Sequence, residues 1–284
     1  MYLEHFGLSH FPFSTTPDPR FFFPSAKHRE ALACLLYTVE QRKGFALVSG
    51  EVGAGKSMLC RAALGRFDDR VDTALIVHTS LTPKQFMQAV CVELGMDIKG
   101  KSKFQLVQDI KAHLTECQQM QRTVVLIVDE AQNLTRDVLE EVRLLGNLET
   151  SSEKLIQILL VGQPELRALI ARPELRQLNQ RITVKFHLGA LSYEDMSGYI
   201  DHRVKVAGLD TPSLFDDDAK DALFNASGGV PRLVNVLCDQ ALLEAFVTDA
   251  HTIGFDIMRK VIEEREGYYM DAPPAMHAAG ERLH

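Results

Sequence analysis

No apolar run in the 284-residue chain approaches the roughly 18 residues needed to cross a bilayer. The opening segment, MYLEHFGLSHFPF, lacks the basic start and unbroken apolar stretch of a secretory signal. The five cysteines, Cys34, Cys60, Cys91, Cys117 and Cys238, form no CxxC pair and no Cys/His cluster of metal spacing. The ten histidines form no HExxH or other ligand constellation. Zinc is therefore not expected. An odd set of scattered thiols fits a reducing compartment, so the chain reads as cytoplasmic. Positive charge is also short, with 31 Lys and Arg against 38 Asp and Glu, a formal net charge of −7. That argues against a surface devoted to nucleic acid, although a local basic stripe can survive in an acidic whole. Two such features are present: Lys99, Lys101 and Lys103, and the sparser Arg167, Arg172, Arg176, Arg181 and Lys185. No internal repeat is visible.

Residues 1–27 combine Pro12, Pro17, Pro19 and Pro24 with Phe6, Phe11, Phe13, Phe21, Phe22 and Phe23. Prolines oppose a regular helix, and a polar linker would not carry so many aromatics. The segment reads as an extended arm pinned by its phenylalanines, either covering a core or contributing to a base pocket. From His28 the pattern alternates. Short β-rich runs (FALVSG, TALIVHTS, TVVLIVDE, LIQILLVGQ, ITVKFHL) are separated by helical stretches. Thr82-Pro83 with Gln85, and Ser102 with Gln105, spell helix-opening capping boxes. A helix is expected from about Arg136 to Glu149. This alternation implies a five-stranded parallel sheet with helices on both faces, over residues 28–189. From 190 to 266 the runs read as helices only, with Ser192 and Ser213 as candidate caps. Residues 267–284 have no periodicity and read as a loose tail.

The segment Gly50, Glu51, Val52, Gly53, Ala54, Gly55, Lys56, Ser57 matches G-x-x-x-x-G-K-[ST] at every fixed position and lies between a strand and a helix. Glycines allow successive N–H groups to turn inward onto phosphate oxygens, and the following helix adds its positive end. Together with Met58 the segment forms a candidate site for ATP. Lys56 would reach the β- and γ-phosphates. Ser57 and Asp129, which ends the apolar run VVLIV, are the candidate Mg²⁺ ligands. Glu130, one residue on, is the candidate for polarising the attacking water.

With those residues placed, the chain resembles the AAA+ ATPases, and within them the ATPase domain of the general secretion pathway A-type (ExeA/GspA-like) proteins. The resemblance rests on the arm before HREAL, then GEVGAGKS, VDEAQNL, LEEVRLLGNLET, LVGQPEL, LNQRI and GGVPR in order. It implies a RecA-like α/β core closed by a helical lid, with ATP between them. It implies Gln163 as the sensor on the fourth strand, or else a turn residue before Pro164. Arg232 would be the lid arginine reaching the phosphates, or a solvated helix-start arginine. Arg181 would be the finger supplied to a neighbouring subunit, with Arg176 in reserve. Further expectations are a ring or helical homo-oligomer and protein partners in a secretion, pilus or polysaccharide assembly system at the envelope. The alternative is an ATP-gated DNA-binding regulator of the transposition type. Longer relatives continue into a membrane span and a peptidoglycan-binding region that the residues after 266 do not show, so direct membrane attachment is not carried over.

Overall fold

Strands that are apolar on both sides must be covered on both sides, and the sheet here is sandwiched between helices. The computed structural model describes residues 2–150, 153–209 and 214–270. In chain order, α1 (Tyr2–Phe6) and α2 (Ala26–Glu40) precede β1 (Phe45–Gly50) and α3 (Lys56–Leu64). Next come β2 (Val71–Ile76), α4 (Pro83–Glu93), α5 (Lys103–Gln119), β3 (Thr123–Val128) and α6 (Arg136–Leu145). Then follow β4 (Ile156–Gly162), α7 (Glu165–Ile170), α8 (Arg176–Arg181) and β5 (Val184–Leu188). The last elements are α9 (Tyr193–Val206), α10 (Asp217–Ser227), α11 (Pro231–Val247) and α12 (Phe255–Met270).

All five strands are parallel, in the order β2-β3-β4-β1-β5. Alternate residues feed two cores. Phe45, Leu47, Val124, Leu126, Ile158 and Leu160 pack with α4, α5 and α6. Ala46, Val48, Val125, Ile127, Leu159 and Val161 pack with α2 and α3. The register sets Ser49 beside Gly162 and Val128 beside Leu160, so the carboxyl ends of β1, β3 and β4 finish along one edge. Ligands of parallel α/β sheets collect at this edge.

Both expected capping boxes are formed, at Thr82/Gln85 and at Ser102/Gln105. Several boundaries differ from the sequence expectation. β2 begins at Val71 and stops at Ile76, short of Ser80, because it is an edge strand in which only Ala74 and Ile76 are buried. α6 stops at Leu145, where Asn147 and Leu148 turn back on Leu144 and Leu145 (3.1 and 3.0 Å) before the Glu149–Lys154 bridge. Ser192 caps α9, whereas α10 is capped by Asp216, and Ser213 lies outside the described residues. α12 continues to Met270, so the first residues of the expected tail are helical, and 271–284 lie outside the described residues.

The arm is not wholly extended. Tyr2–Phe6 is helical, since the prolines begin only at Pro12, and Pro19–Phe21 forms a 3-10 turn. Its phenylalanines do not sit on the sheet. Phe6, Phe13 and Phe21 share a core with Met196, Ile200, Leu237 and Ala241 of the helical region. Arg203 of α9 fastens the arm from the same side, donating to the carbonyls of Pro12 and Ser14 and lying 4.9 Å from the Phe21 ring centre. Among the described residues no helix is long and apolar enough to cross a membrane.

Because Phe13 is only 1% exposed, Phe13→Ala should lower unfolding stability by about 3–5 kcal/mol. Phe11, 55% exposed, should cost less than about 1 kcal/mol when replaced by Ala. Urea unfolding of the two variants checks this, and equal losses would show that the arm is not part of the helical core.

Candidate nucleotide site

The loop from β1 to α3 turns on two glycines in the left-handed region, Gly53 at φ +83° and Gly55 at φ +95°. Side chains are strained there, and both sites are also crowded. A Cβ on Gly53 would lie 2.4 Å from Cβ of Arg232, and one on Gly55 would lie 2.7 Å from Nε2 of His28. Most other helices of the fold open on a Ser, Thr or Asp cap, but Gly55 gives α3 none. The first amides of α3 and the positive end of its dipole are thus presented to an anion.

Lys56 is buried and folds back over the loop, its Nζ donating to the carbonyls of Gly50 (2.8 Å) and Glu51 (3.0 Å). Burial lowers its pKa below the ordinary lysine value, opposed by the nearby Glu130, Asp129 and Glu51 carboxylates. Ser57 Oγ donates to Asp129 Oδ2 at 2.7 Å, joining the start of α3 to the end of β3. Asp129 is itself buried, and its other oxygen accepts the amide of Glu130 at 2.9 Å. A hydroxyl and a carboxylate in contact form an oxygen donor set of the kind Mg²⁺ takes, so these residues fit that ion.

Glu130 sits at φ +50°, outside the ordinary range for a side-chain-bearing residue, and Oε2 of its carboxylate accepts from Gln163 Nε2 at 3.2 Å. Gln163 directly follows β4. From the other side, the amide of Arg232 donates to the carbonyl of Gly53 at 3.2 Å, seating the start of α11 on the loop. A cavity of about 380 Å³ gathers Val52, Gly53, Gly55, Lys56, Ser57, Met58, Glu130, Gln163 and Arg232 under the arm residues Ser14–Asp18 and Phe22. A larger groove of about 1110 Å³ runs along α11 and α12 and shares only Val52 and Arg232 with it. The smaller cavity alone holds the phosphate-loop lysine and serine with the acidic end of β3.

Arg181 and Arg176 are not part of this cavity. Arg181 reaches the carbonyl of Gly146 at the end of α6 (3.4 Å), and Arg176 lines a separate groove with Arg136, Glu140 and Arg143. In the basic loop, Lys101 pairs with Asp109 and Lys103 with Glu141. Histidines far apart in sequence do meet. His5 and His251 lie near Asp249, with ligand atoms within 4.8 Å. The two rings stack, however, 4.5 Å apart and 10° from parallel. Their in-plane lone pairs therefore run side by side and do not converge on one ion. Near Asp72, His113 and Cys117, the Arg122 guanidinium holds the Asp72 carboxyl below its usual range. Burial pushes the Cys117 thiol up to about 11, and its Sγ donates to Asp72 Oδ2 at 3.3 Å.

His28 is a site residue that sequence reasoning did not single out. Its Nε2–H donates to the carbonyl of Ala54 (3.2 Å), and Ser25 Oγ lies 2.7 Å from Nδ1, which fixes the neutral tautomer. The only advance sign was a Ser–x–x–His spacing that places both groups in the first turn of α2.

The comparisons with known proteins bear on family and fold. Residues 39–170 match the family model described as an AAA domain. General secretion pathway protein A of Aeromonas hydrophila is 42% identical over 254 residues, which is 89% of this chain and 46% of that protein. This chain is an AAA ATPase. It spans just under half the length of that relative, 46%. The fold of this AAA ATPase is also that of the ORC2 protein of Aeropyrum pernix in its ADPNP–ADP complexes. The TM-score is 0.69 at 17% identity, with 93% of this chain and 75% of that one covered. Drosophila ORC bound to DNA gives a TM-score of 0.67 at 17% identity, with 90% and 64% covered. At such identities the likeness is one of fold.

Burial lowers the pKa of His28 from its ordinary 6.5, so the folded ATPase favours the neutral ring. The unfolded chain takes up the proton first as pH falls. Stability should therefore be full near neutrality and decline below about pH 6.5. His202, lowered by burial and then by Arg203, contributes with the same sign. His28→Gln should make the decline shallower without removing it. Urea unfolding from pH 7.5 to 5 checks this, and an unchanged slope would mean that His28 is not the titrating group.

Proposed function

We propose that this chain binds ATP with Mg²⁺ in the cavity between the phosphate loop and Arg232, hydrolyses it to ADP and phosphate, and couples the cycle to work on an envelope assembly. The observation that carries the reading is the convergence in one cavity of Lys56, Ser57, Glu130, Gln163 and Arg232, with Asp129 bonded beneath. Lys56 and the loop amides of residues 50–58 neutralise the phosphates. Ser57 and Asp129 would hold Mg²⁺, which would supply positive charge against the phosphates. Glu130 polarises the water that attacks the γ-phosphate, and Gln163 helps to place it. Positioning and electrostatics carry such a transfer, and no covalent intermediate is needed.

The working unit is a core of residues 28–189 and a lid of residues 190–266, with Arg232 sensing nucleotide from the lid. Arg181, remote from its own cavity, serves a neighbouring subunit. Such a head-to-tail arrangement closes into a ring or extends as a helix. The identity to a secretion pathway protein over most of this chain supports a protein client at the envelope, reached from the cytoplasm, in preference to DNA.

The test is an ATPase and ATP-binding assay on the purified chain and three variants. Lys56→Ala should lose ATP affinity. Glu130→Gln should keep it while turnover falls about 10²–10⁴-fold, the usual cost of a lost general base. Arg181→Ala should bind ATP but hydrolyse poorly, and mixing it with Lys56→Ala should restore activity. Near-normal turnover by Glu130→Gln would overturn the assignment of the base. Absence of rescue in proven mixed assemblies would overturn that of Arg181.

A further inference from the structure

Gln132 stands in the 3-10 turn Ala131–Asn133 that follows the acidic pair. Its carboxamide makes bonds in two directions. Nε2 donates to Glu130 Oε2 at 2.5 Å, and Oε1 accepts the backbone amide of Gln163 at 3.0 Å. Gln163 Nε2 donates to the same Glu130 oxygen at 3.2 Å. The three residues thus form a closed ring of hydrogen bonds between the end of β3 and the end of β4. With both amides on Oε2, the acceptor capacity of Oε1 is what the carboxylate has left for a water.

A second observation shows that the backbone makes room for this side chain. A Cβ on Gly162, the last residue of β4, would lie 2.5 Å from Gln132 Oε1 and 3.3 Å from the Gln132 amide nitrogen. The φ of Gly162 lies outside the left-handed region, so its backbone conformation does not itself call for glycine. The space of its missing side chain is filled by the Gln132 carboxamide, with Leu166 Cδ2, 3.0 Å from that Cβ position, beside it. Glu130, held at φ +50°, needs such external fixing, since a left-handed residue persists only where its surroundings impose it.

We propose that Gln132 is a positioning residue for ATP hydrolysis, clamping the Glu130 carboxylate to the end of β4 so that base and Gln163 move as one unit. This rests on Glu130 being the base. Gln132 does not line the nucleotide cavity, so its removal acts on turnover through Glu130 and not on the binding of ATP.

The experiment measures kcat and ATP affinity for Gln132→Ala, Gly162→Ala, Glu130→Gln and the pairwise combinations, with thermal melting as a control on folding. Gln132→Ala should lower kcat about 10- to 100-fold, the scale of an ångström-sized misplacement, with ATP affinity within about twofold of the parent. Gly162→Ala should act likewise by displacing the amide. Gln132→Ala should add little to Glu130→Gln, because its effect is carried by that carboxylate. Wild-type kcat for Gln132→Ala beside a slow Glu130→Gln would overturn the clamp alone. Independent, multiplicative losses for Gln132→Ala and Glu130→Gln would overturn it too. Near-normal kcat for Glu130→Gln would remove the base, and the clamp with it. Should Gly162→Ala fail to fold, the Gln132→Ala and Glu130→Gln pair decides the matter by itself.

Discussion

The hydrogen bond from Ser57 to Asp129, 2.7 Å long, is the contact on which the arrangement of this site depends. It joins the helix after β1 to the end of β3, two strands that are not neighbours in the sheet, since β4 lies between them. The bond is possible only because the parallel register brings all three strands to one edge. Glycine at position 55 then lets the loop turn into α3 with the Ser57 hydroxyl facing the carboxylate. With that contact made, Lys56 is drawn inside, Glu130 follows Asp129 into the cavity, and Gln163 approaches from the strand in between. A hydroxyl–carboxylate pair is also an oxygen donor set of the kind a hard divalent cation takes.

The roof of the site comes from sequence far removed from the loop. Arg232 brings the start of α11 onto Gly53, while Arg203 and Arg61 hold the arm from opposite sides by the carbonyls of residues 12, 14 and 17. Phe13 and Phe21 lie in the core of the helical region, so the arm is an extension of the lid as much as a cover for the cavity. The arm is thus tied both to the helical region and, through Arg61 of α3, to the α/β core.

Local chemistry made part of this legible in the sequence. The phosphate loop is contiguous, its glycines and lysine have fixed spacing, and Asp129 announces itself by ending the most apolar run. The capping boxes at Thr82 and Ser102 are likewise confined to four residues and form as written. Features that depend on neighbours across the sheet were not legible. Gln132 meets the Gln163 amide over a separation of 31 residues, and His28 meets Ala54 over 26, so neither bond leaves a local pattern. The short helix α1 has too few residues to display periodicity. The edge strand β2 carries Asp72 at its second position, so hydrophobicity alone starts it at Thr73, two residues late. α6 ends early for a tertiary reason, the turn into the Glu149–Lys154 bridge, which its apolar spacing does not encode.

If the Ser57–Asp129 pair is where Mg²⁺ joins the nucleotide, it must link metal to ATP affinity. Calorimetric titration of ATP with and without Mg²⁺, into the parent chain, Ser57→Ala and Asp129→Asn, measures that link directly. Mg²⁺ should tighten ATP binding to the parent by about tenfold or more, a difference of about 1.4 kcal/mol. Most of that gain should vanish in both variants, while their affinity for metal-free ATP stays near that of the parent. An equal gain from Mg²⁺ in all three proteins would contradict that link.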